Sequence, residues 1–130
     1  MLDVGPASYR DVRHLKSRAA REGVAITDTT GTEWIAARTR AGRVVGCAAV
    51  IRQGPKVRVK GVYLHPMFRG EGTGRRLMDT AVGIARRSDA DTLEVLARFA
   101  DGWLRYDLEA VSVRPNGAVT LRGKLDAPPP

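Results

Sequence analysis

One stretch of the sequence combines residue types that are suited to binding a phosphate group. Gly70, Gly72 and Gly74 alternate there, after an apolar run and at the start of an amphipathic one. Glycine lets the backbone adopt conformations closed to other residues and approach a ligand closely. A helix N-terminus leaves backbone N–H groups unpaired and carries a partial positive charge. The turn is therefore predicted to open a helix and to form an anion cradle suited to a pyrophosphate.

Arg69, Arg75 and Arg76 flank this turn and are expected to add mobile positive charge beside the anion. Other glycine-rich loops fit less well. The P-loop spacing with its Lys-Ser/Thr ending is absent, which argues against ordinary NTP hydrolysis. The dinucleotide pattern Gly-x-Gly-x-x-Gly does not match the spacing Gly-x-Gly-x-Gly found here. A turn that merely starts a helix is the weaker alternative, because it explains neither the alternate glycines nor the arginines.

The elements around the turn predict an α+β domain. A first helix is expected over residues 8–22, where Ser8 and Asp11 form a capping box and Gly23 provides a C-terminal cap. The elements predicted after it are strands over 33–39, 43–52 and 57–65, a helix over 74–87, a strand over 92–97, a short helix from 101 to about 109, and a hairpin of 111–114 with 118–122. This order predicts a mostly antiparallel sheet with one parallel crossover through the 74–87 helix.

Length and composition set broad limits. The chain has 130 residues, which suits one domain, expected over 1–126, with 127–130 as a disordered proline-rich tail. Its one cysteine, Cys47, is expected to be a small buried hydrophobe, and no His/Cys/Asp cluster has metal-ligand spacing, so no metal is predicted. No stretch is long and apolar enough to span a bilayer, and no signal peptide is evident, so we expect a cytoplasmic protein.

The formal net charge is +8, with 22 basic against 14 acidic residues. Two explanations compete. The charge serves an acidic partner, either a nucleic acid or a phosphate-rich cofactor, or it reflects a GC-rich genome that favours arginine. Because the basic residues are spread along the chain with few dense blocks, the compositional explanation is slightly favoured.

The segment Arg69-Gly70-Glu71-Gly72-Thr73-Gly74 resembles the acetyl-CoA signature of the GNAT acetyltransferases, Gln/Arg-x-x-Gly-x-Gly/Ala. The preceding Val-Tyr-Leu-His-Pro is similar to the strand before that loop, and the following Arg-Arg-Leu-Met to the start of the cofactor helix. The order of elements matches the family over nearly the whole chain. The resemblance implies a GNAT-like acyl-CoA N-acyltransferase fold, with a mostly antiparallel central sheet flanked by helices on both faces.

The resemblance also implies how acetyl-CoA is held. Loop amides would bind the pyrophosphate, the exposed backbone of the strand before the loop would pair with the pantetheine amides, and the strand over 92–97 would splay away to admit the acetyl group. The residues implied to contact acetyl-CoA are Tyr63, Leu64, His65, Arg69, Gly70, Glu71, Gly72, Thr73, Gly74 and Arg75.

Direct acetyl transfer to an amine needs a polarised thioester carbonyl and a proton for the leaving thiolate. A backbone N–H near Leu64 could polarise the carbonyl. The family commonly uses a tyrosine after the splayed strand as general acid, and an ungapped alignment places Tyr106 there. An alternative register places Trp103 at that position, which could not act as an acid.

The general base is less clear. The family's glutamate early in the strand before the loop falls at Arg58, and residues 57–68 contain no carboxylate. Glu33 and Glu94 could substitute through a water, although each reads as an exposed strand charge, and His65 has a suitable pKa. Three possibilities stay open: a water-mediated base, an acceptor amine of low pKa that needs none, or a protein that no longer catalyses.

The predicted function is that of an acetyl-CoA-dependent N-acetyltransferase. The alternatives are a nucleic-acid-binding or nucleic-acid-modifying relative, and a catalytically idle acyl-CoA-binding relative. The acceptor could be a small molecule, a protein or a nucleic acid; the basic first helix could attract an acidic one, together with Arg52, Lys56, Arg58 and Lys60. A homodimer is also possible.

Overall fold

The computed structural model describes residues 2–125, so the predicted disordered tail over 127–130 lies outside the described residues. The strands are β1 Asp3–Ala7, β2 Thr32–Arg38, β3 Val44–Gln53, β4 Lys56–Leu64, β5 Thr92–Ala97, β6 Glu109–Val113 and β7 Val119–Lys124. The helices are α1 Tyr9–Val12, α2 Lys16–Arg21 and α3 Thr73–Arg87, with 3-10 helices over Arg13–Leu15, Pro66–Phe68 and Asp101–Tyr106. None of the helices within residues 2–125 has the length and apolar character needed to cross a membrane.

All seven strands form one sheet in the order β1-β2-β3-β4-β5-β7-β6. Only the β4–β5 pair is parallel, and α3 is the crossover between these two strands. The other neighbours pair antiparallel. The predicted α+β class and the single parallel crossover are confirmed.

Each face of the sheet carries its own apolar cluster. On one face, Leu77 and Ala81 of α3 pack with Val59 and Val95, all of them at most 1% exposed. On the other face, Val12, Leu15 and Ala19 of the first helical region pack with Trp34 and Tyr63, among others. These side chains recur at helical spacing, as the sequence indicated. Helices therefore flank the sheet on both faces, as predicted.

Three predictions of secondary structure were wrong. The strand β1 was not predicted; it pairs with β2 at the edge of the sheet. The first helix is not continuous over 8–22, because Arg13–Leu15 forms a 3-10 turn between two shorter helices that end at Arg21. The predicted helix from 101 to about 109 ends at Tyr106, where Asp107 adopts a left-handed conformation with φ 59°, and Glu109 already begins β6.

Candidate active site

The parallel strands β4 and β5 separate part of the way along their length. Their last paired residues are Val59 and Val95. Beyond this point β4 stays with β3 as far as Leu64, whereas β5 stays with β7 through the pair Ala97–Val119. The separation opens a gap at the carboxyl ends of two adjacent parallel strands, which is where α/β sheets place ligands. The predicted splay of the 92–97 strand is present in the structure.

A bulge in β4 lies where the gap begins. Cys47 pairs with Tyr63 and Ala49 pairs with Lys60, so two residues of β4 stand opposite Ala48. One of the two is Gly61, whose φ of +62° is a conformation that favours glycine. Bulges bend a strand and increase its local twist. The bulge therefore turns the end of β4 away from β5.

The backbone of Leu64 faces the gap. His65 donates its N–H to the Val45 carbonyl at 2.8 Å, so this residue points toward β3. Because backbone groups alternate in direction along a strand, the Leu64 N–H and C=O point to the opposite edge. Of the three residues expected to pair with pantetheine, Tyr63 and His65 thus use their backbones within the sheet, and Leu64 presents its N–H to the gap.

The glycine loop leads from β4 into α3. Gly70 and Gly72 have φ of +93° and +87°, and Gly72 is the N-cap of the helix. A Cβ built on Gly70, Gly72 or Gly74 would meet no atom within 4 Å. Thr73, the first helical residue, has a buried side chain, so the exposed part of this first turn is its backbone. The open space, the bare backbone and the helix N-terminus together fit an anionic group such as a pyrophosphate.

The arginines around the loop differ in their freedom. Arg69 donates from Nε to the Leu64 carbonyl at 2.7 Å and from Nη2 to both carboxylate oxygens of Glu22, at 2.8 and 2.9 Å. Arg76 donates to the Leu2 carbonyl. The expectation of mobile charge is therefore wrong for these two residues. Arg75 is exposed and forms no ion pair with the part of the chain that the structure describes, so it is free to reach a bound phosphate.

Tyr106 and Trp103, the two candidates for the general-acid position, face different surroundings. Trp103 is buried and lines a cleft between the ends of β4 and β5. Tyr106 donates its hydroxyl to the Asp79 carboxylate of α3 and accepts a hydrogen bond from Arg105. Burial, followed by the hydrogen bond to Asp79, raises the pKa of Tyr106 to about 12. In this arrangement the phenol keeps its proton and donates it in a hydrogen bond to the Asp79 carboxylate.

Arg58, which occupies the position of the family's glutamate, pairs with Glu94 on the adjacent strand. Arg58 Nε lies 2.9 Å from Glu94 Oε1, while Arg122 Nη2 and Lys56 Nζ lie 2.8 and 3.5 Å from Oε2. The interpretation of Glu94 as an exposed strand charge is wrong, because it is 3% exposed. Burial acts to raise the pKa of Glu94, but hydrogen bonds from Arg122 and Arg58 and the charges of Arg58 and Lys56 outweigh it and lower the pKa. Glu94 is thus a fixed anion and a weak base.

The other candidate bases stand outside the cleft. Glu33 lies beside Ile84 and Arg87 on the face covered by α3. His65 accepts the Met67 N–H at Nδ1 over 3.1 Å, which makes it the N-cap of the 3-10 helix Pro66–Phe68. Cys47 is fully buried, as predicted, and burial raises the pKa of its thiol to about 12, so it is not a nucleophile.

The gap widens into a cleft of about 250 Å³ between the loop after α2, the strands β4 and β5, and the β6–β7 turn. Val62, Leu96 and Trp103 supply apolar lining. Lys60, Arg98 and Arg114 supply its charged lining. Sequence reasoning predicted the gap and named Lys60, but it missed Arg98 and Arg114, because the segments that bring them to the cleft are far apart in the chain and carry no motif.

Among known protein families, the one described as Acetyltransferase (GNAT) family has a sequence model that matches residues 6–102. No curated protein matches the chain significantly.

Solved structures share the fold at low sequence identity. An acyl-CoA N-acyltransferase from Pseudomonas aeruginosa is 19% identical with a TM-score of 0.74, over 94% of this chain and 99% of that one. Rv2747 from Mycobacterium tuberculosis, in complex with CoA, is 16% identical with a TM-score of 0.75, over 95% and 99%. N-acetylglutamate synthase from Neisseria gonorrhoeae, complexed with coenzyme A and N-acetyl-glutamate, is 16% identical with a TM-score of 0.74, over 97% of this chain and 35% of that one.

Proposed function

Since the chain belongs to the GNAT acetyltransferase family, we propose that it transfers the acetyl group of acetyl-CoA directly to the amine of an acceptor. The observation that carries the proposal is the continuity of two features. The glycine loop at the start of α3 follows the end of β4 after one 3-10 turn, and this end of β4 has already separated from β5. A phosphate cradle and a slot for an extended chain thus lie side by side, as a long molecule with one phosphorylated end requires.

In this proposal, the N–H groups of Gly70, Gly72, Thr73 and Gly74 hold the pyrophosphate, helped by the exposed Arg75 and by the helix dipole. Glu71 contributes its backbone, since its side chain is exposed on the loop. The pantetheine arm extends along the free edge of β4 beside Leu64. Arg69 acts indirectly in this binding, because it fixes the Leu64 carbonyl and the start of the loop.

When bound, acetyl-CoA supplies the acetyl group as a thioester. The Leu64 N–H points into the gap and is the candidate donor to the thioester carbonyl, where it stabilises developing negative charge. Within residues 2–125, the side chains that line the cleft include no carboxylate and no histidine. The acceptor amine is therefore neutralised without a side-chain base. It gives its proton to solvent water and then attacks as the neutral, nucleophilic amine.

Tyr106 is the proposed donor of the proton to the departing thiolate, and the proton that the amine nitrogen loses as the amide forms restores the phenol. Its hydroxyl is bound to Asp79 in the structure, so this role requires the hydroxyl to leave Asp79 when the cofactor occupies the gap. The ring lies 5.8 Å from that of Trp103, a lining residue, which places Tyr106 next to the cleft. Trp103 itself has no proton of suitable acidity and serves as a wall.

Two linked measurements test the proposal. Thermal stability is recorded with and without acetyl-CoA, and thiol release is then followed across a panel of amines. A ligand at about a hundred times its Kd adds roughly 2.7 kcal/mol to the free energy of unfolding, which raises Tm by several degrees in a domain of this size. We expect that shift, and we expect thiol release to depend on an amine. Absence of any shift at millimolar acetyl-CoA would refute the proposal.

The alternative functions predict different results. A catalytically idle relative would show the thermal shift with no amine-dependent thiol release. A nucleic-acid-binding relative would show steeply salt-dependent binding of DNA or RNA. The structure weakens this second alternative, because Lys56, Arg58 and Arg122 are committed to Glu94 and Arg52 pairs with Asp89.

A further inference from the structure

The cleft at the end of the gap is lined by cations on three separate elements. Lys60 is on β4, Arg98 directly follows β5, and Arg114 lies in the turn between β6 and β7. None of the three forms an ion pair with any other residue in the range 2–125. Since the cleft also lacks a carboxylate within that range, its positive charge is not neutralised by the protein.

Arg98 is held in place at the cleft. Its Cδ and Nε lie 3.3 Å from where a Cβ on Gly23 would stand, and its Nη1 lies 3.1 Å from the equivalent point on Gly117. Its guanidinium also lies 5.1 Å from the centre of the Phe99 ring. The side chain therefore spans from the loop after α2 to the β6–β7 turn. Both glycines leave room for it, so its position is fixed by packing and by the cation–π contact with Phe99.

These cations stand apart from the phosphate end of the site. Lys60 pairs with Ala49 and Leu64 pairs with Gly46, so three residues of β3, or about 10 Å, separate them along the sheet, whereas the glycine loop follows Leu64. In the proposed function the glycine loop binds the pyrophosphate, which leaves the cations of the cleft to bind a second anion. The cleft volume of about 250 Å³ lies below the usual range for drug-sized ligands and favours a small acceptor.

We propose that the acceptor is a small amine that carries an anionic group, a carboxylate or a phosphate, which Lys60, Arg98 and Arg114 bind while the amine reaches toward the gap beside Leu64. This inference rests on the proposed acetyl transfer and adds the substrate class. The length of strand between Lys60 and Leu64 places the anionic group several bonds from the amine. Arg and carboxylate or phosphate groups form charge-assisted hydrogen bonds, which give both affinity and orientation.

The test compares acceptors in matched pairs that differ only in the anion. γ-Aminobutyrate is compared with its amide for the carboxylate, and O-phosphoethanolamine with ethanolamine for the phosphate. Each is added to the CoA-saturated protein for thermal stability and to the acetyl-CoA-loaded protein for thiol release. We expect the anionic member of at least one pair to raise Tm above that with CoA alone, and to exceed its neutral partner about tenfold in kcat/KM. The pair that responds identifies the anion.

Three variants connect the effect to the cleft. Lys60→Glu and Arg98→Glu should each abolish the preference for the anionic acceptor and leave the Kd for CoA unchanged. Both variants are needed, because Arg98 also packs between two loops and its replacement changes packing as well as charge. Arg40→Glu, an exposed residue in the β2–β3 turn outside the cleft, makes the same charge change and should keep the preference.

If acetyl-CoA fails to bind, the proposed acetyl transfer fails first. If CoA binds but neither anionic compound raises Tm more than its neutral partner, the acceptor class is overturned and the acetyl transfer stands. The acceptor class is also overturned if the neutral amines are acetylated as well as the anionic ones, or if Arg40→Glu matches the two cleft variants.

Discussion

Val59 of β4 and Val95 of β5 form the last pair of the parallel ladder, and the two strands part immediately beyond them. Both side chains are fully buried beneath α3, so the point of separation is anchored in the core. From there each strand follows its antiparallel neighbour. The gap is thus a product of strand pairing.

The bulge at Gly61 sets the direction of β4 at this point, so its backbone conformation should matter. Gly61→Ala places a Cβ at φ +62°, and that Cβ would lie 3.3 Å from the Ala25 carbonyl oxygen. The left-handed conformation alone costs about 1 kcal/mol, and the close approach should add about 1 kcal/mol more. Urea unfolding measures the loss.

A matched control separates the two costs. Gly54 has φ +61° in the β3–β4 turn and open space around it, so Gly54→Ala should show the conformational cost alone. Equal losses in the two variants would mean that the approach to Ala25 does not constrain the bulge.

Arg69 is expected to support CoA binding mainly through its hydrogen bond to the Leu64 carbonyl, and only weakly through its ion pair with Glu22. Arg69→Lys cannot reproduce both contacts, so the loop should lose order and the affinity for CoA should fall about tenfold. The ion pair with Glu22 is exposed, and pairs of this kind contribute less than about 1 kcal/mol. Glu22→Gln should therefore leave the affinity unchanged. Isothermal titration of CoA compares the two variants, and equal losses would refute the role of the Leu64 contact.

Glu94 should make stability depend on pH. Its pKa is lowered in the folded protein, so the unfolded chain binds its proton first as the pH falls. The contribution is present above the unfolded pKa of about 4.3 and is lost as the pH falls through the lower folded pKa. Glu94→Gln leaves Arg58, Arg122 and Lys56 without their anion and should cost about 2 kcal/mol at pH 7.

Urea unfolding at pH 7 and at decreasing acidic pH tests this account of Glu94. The loss of stability in acid should be smaller in Glu94→Gln than in the wild type. Glu33→Gln, at an exposed residue of β2 outside this cluster, makes the same substitution and should keep the stability of the wild type at pH 7. An unchanged acid response in Glu94→Gln would show that other groups govern it.

The proposed role of Tyr106 predicts a loss of rate without a loss of cofactor binding. Tyr106→Phe should lower kcat about a hundredfold, in the usual range for removal of a general acid, and should leave the Kd for CoA unchanged. Asp79→Asn removes an anion that raises the pKa of Tyr106, so the phenol becomes more acidic and kcat should be kept or increased. If Tyr106→Phe instead keeps kcat and lowers only Tm, the hydroxyl serves to attach the Asp101–Tyr106 helix to α3.

The features that sequence reasoning found are those with local signals. Alternate glycines and the apolar run before them predicted the loop and α3, and chain order predicted the crossover. The strand β1 was missed because Gly5 and Pro6 disfavour strands; its place at the sheet edge tolerates proline, which need not donate to a ladder there.

Other features depend on residues that are distant in sequence. Alternation along β5 places Glu94 on a polar face, but its burial comes from side chains of β4 and β7 that cover it. Arg98 likewise acquires its position from Gly23 and Gly117, which the chain brings together only on folding. Sequence patterns report the face on which a residue lies, and they do not report which neighbours enclose it.

A pair of variants at Gly74 tests most directly whether the start of α3 binds the pyrophosphate of CoA. Gly74 is the second residue of the helix and has open space around it, so neither alanine nor glutamate strains the fold. Gly74→Ala should raise the free energy of unfolding by about 0.5–1 kcal/mol, and Gly74→Glu is compatible with the helix dipole. Titration calorimetry with CoA should then give a Kd near that of the wild type for Gly74→Ala, and a Kd at least tenfold weaker for Gly74→Glu, whose carboxylate repels the phosphates. Equal, tight binding by both folded variants would contradict the account.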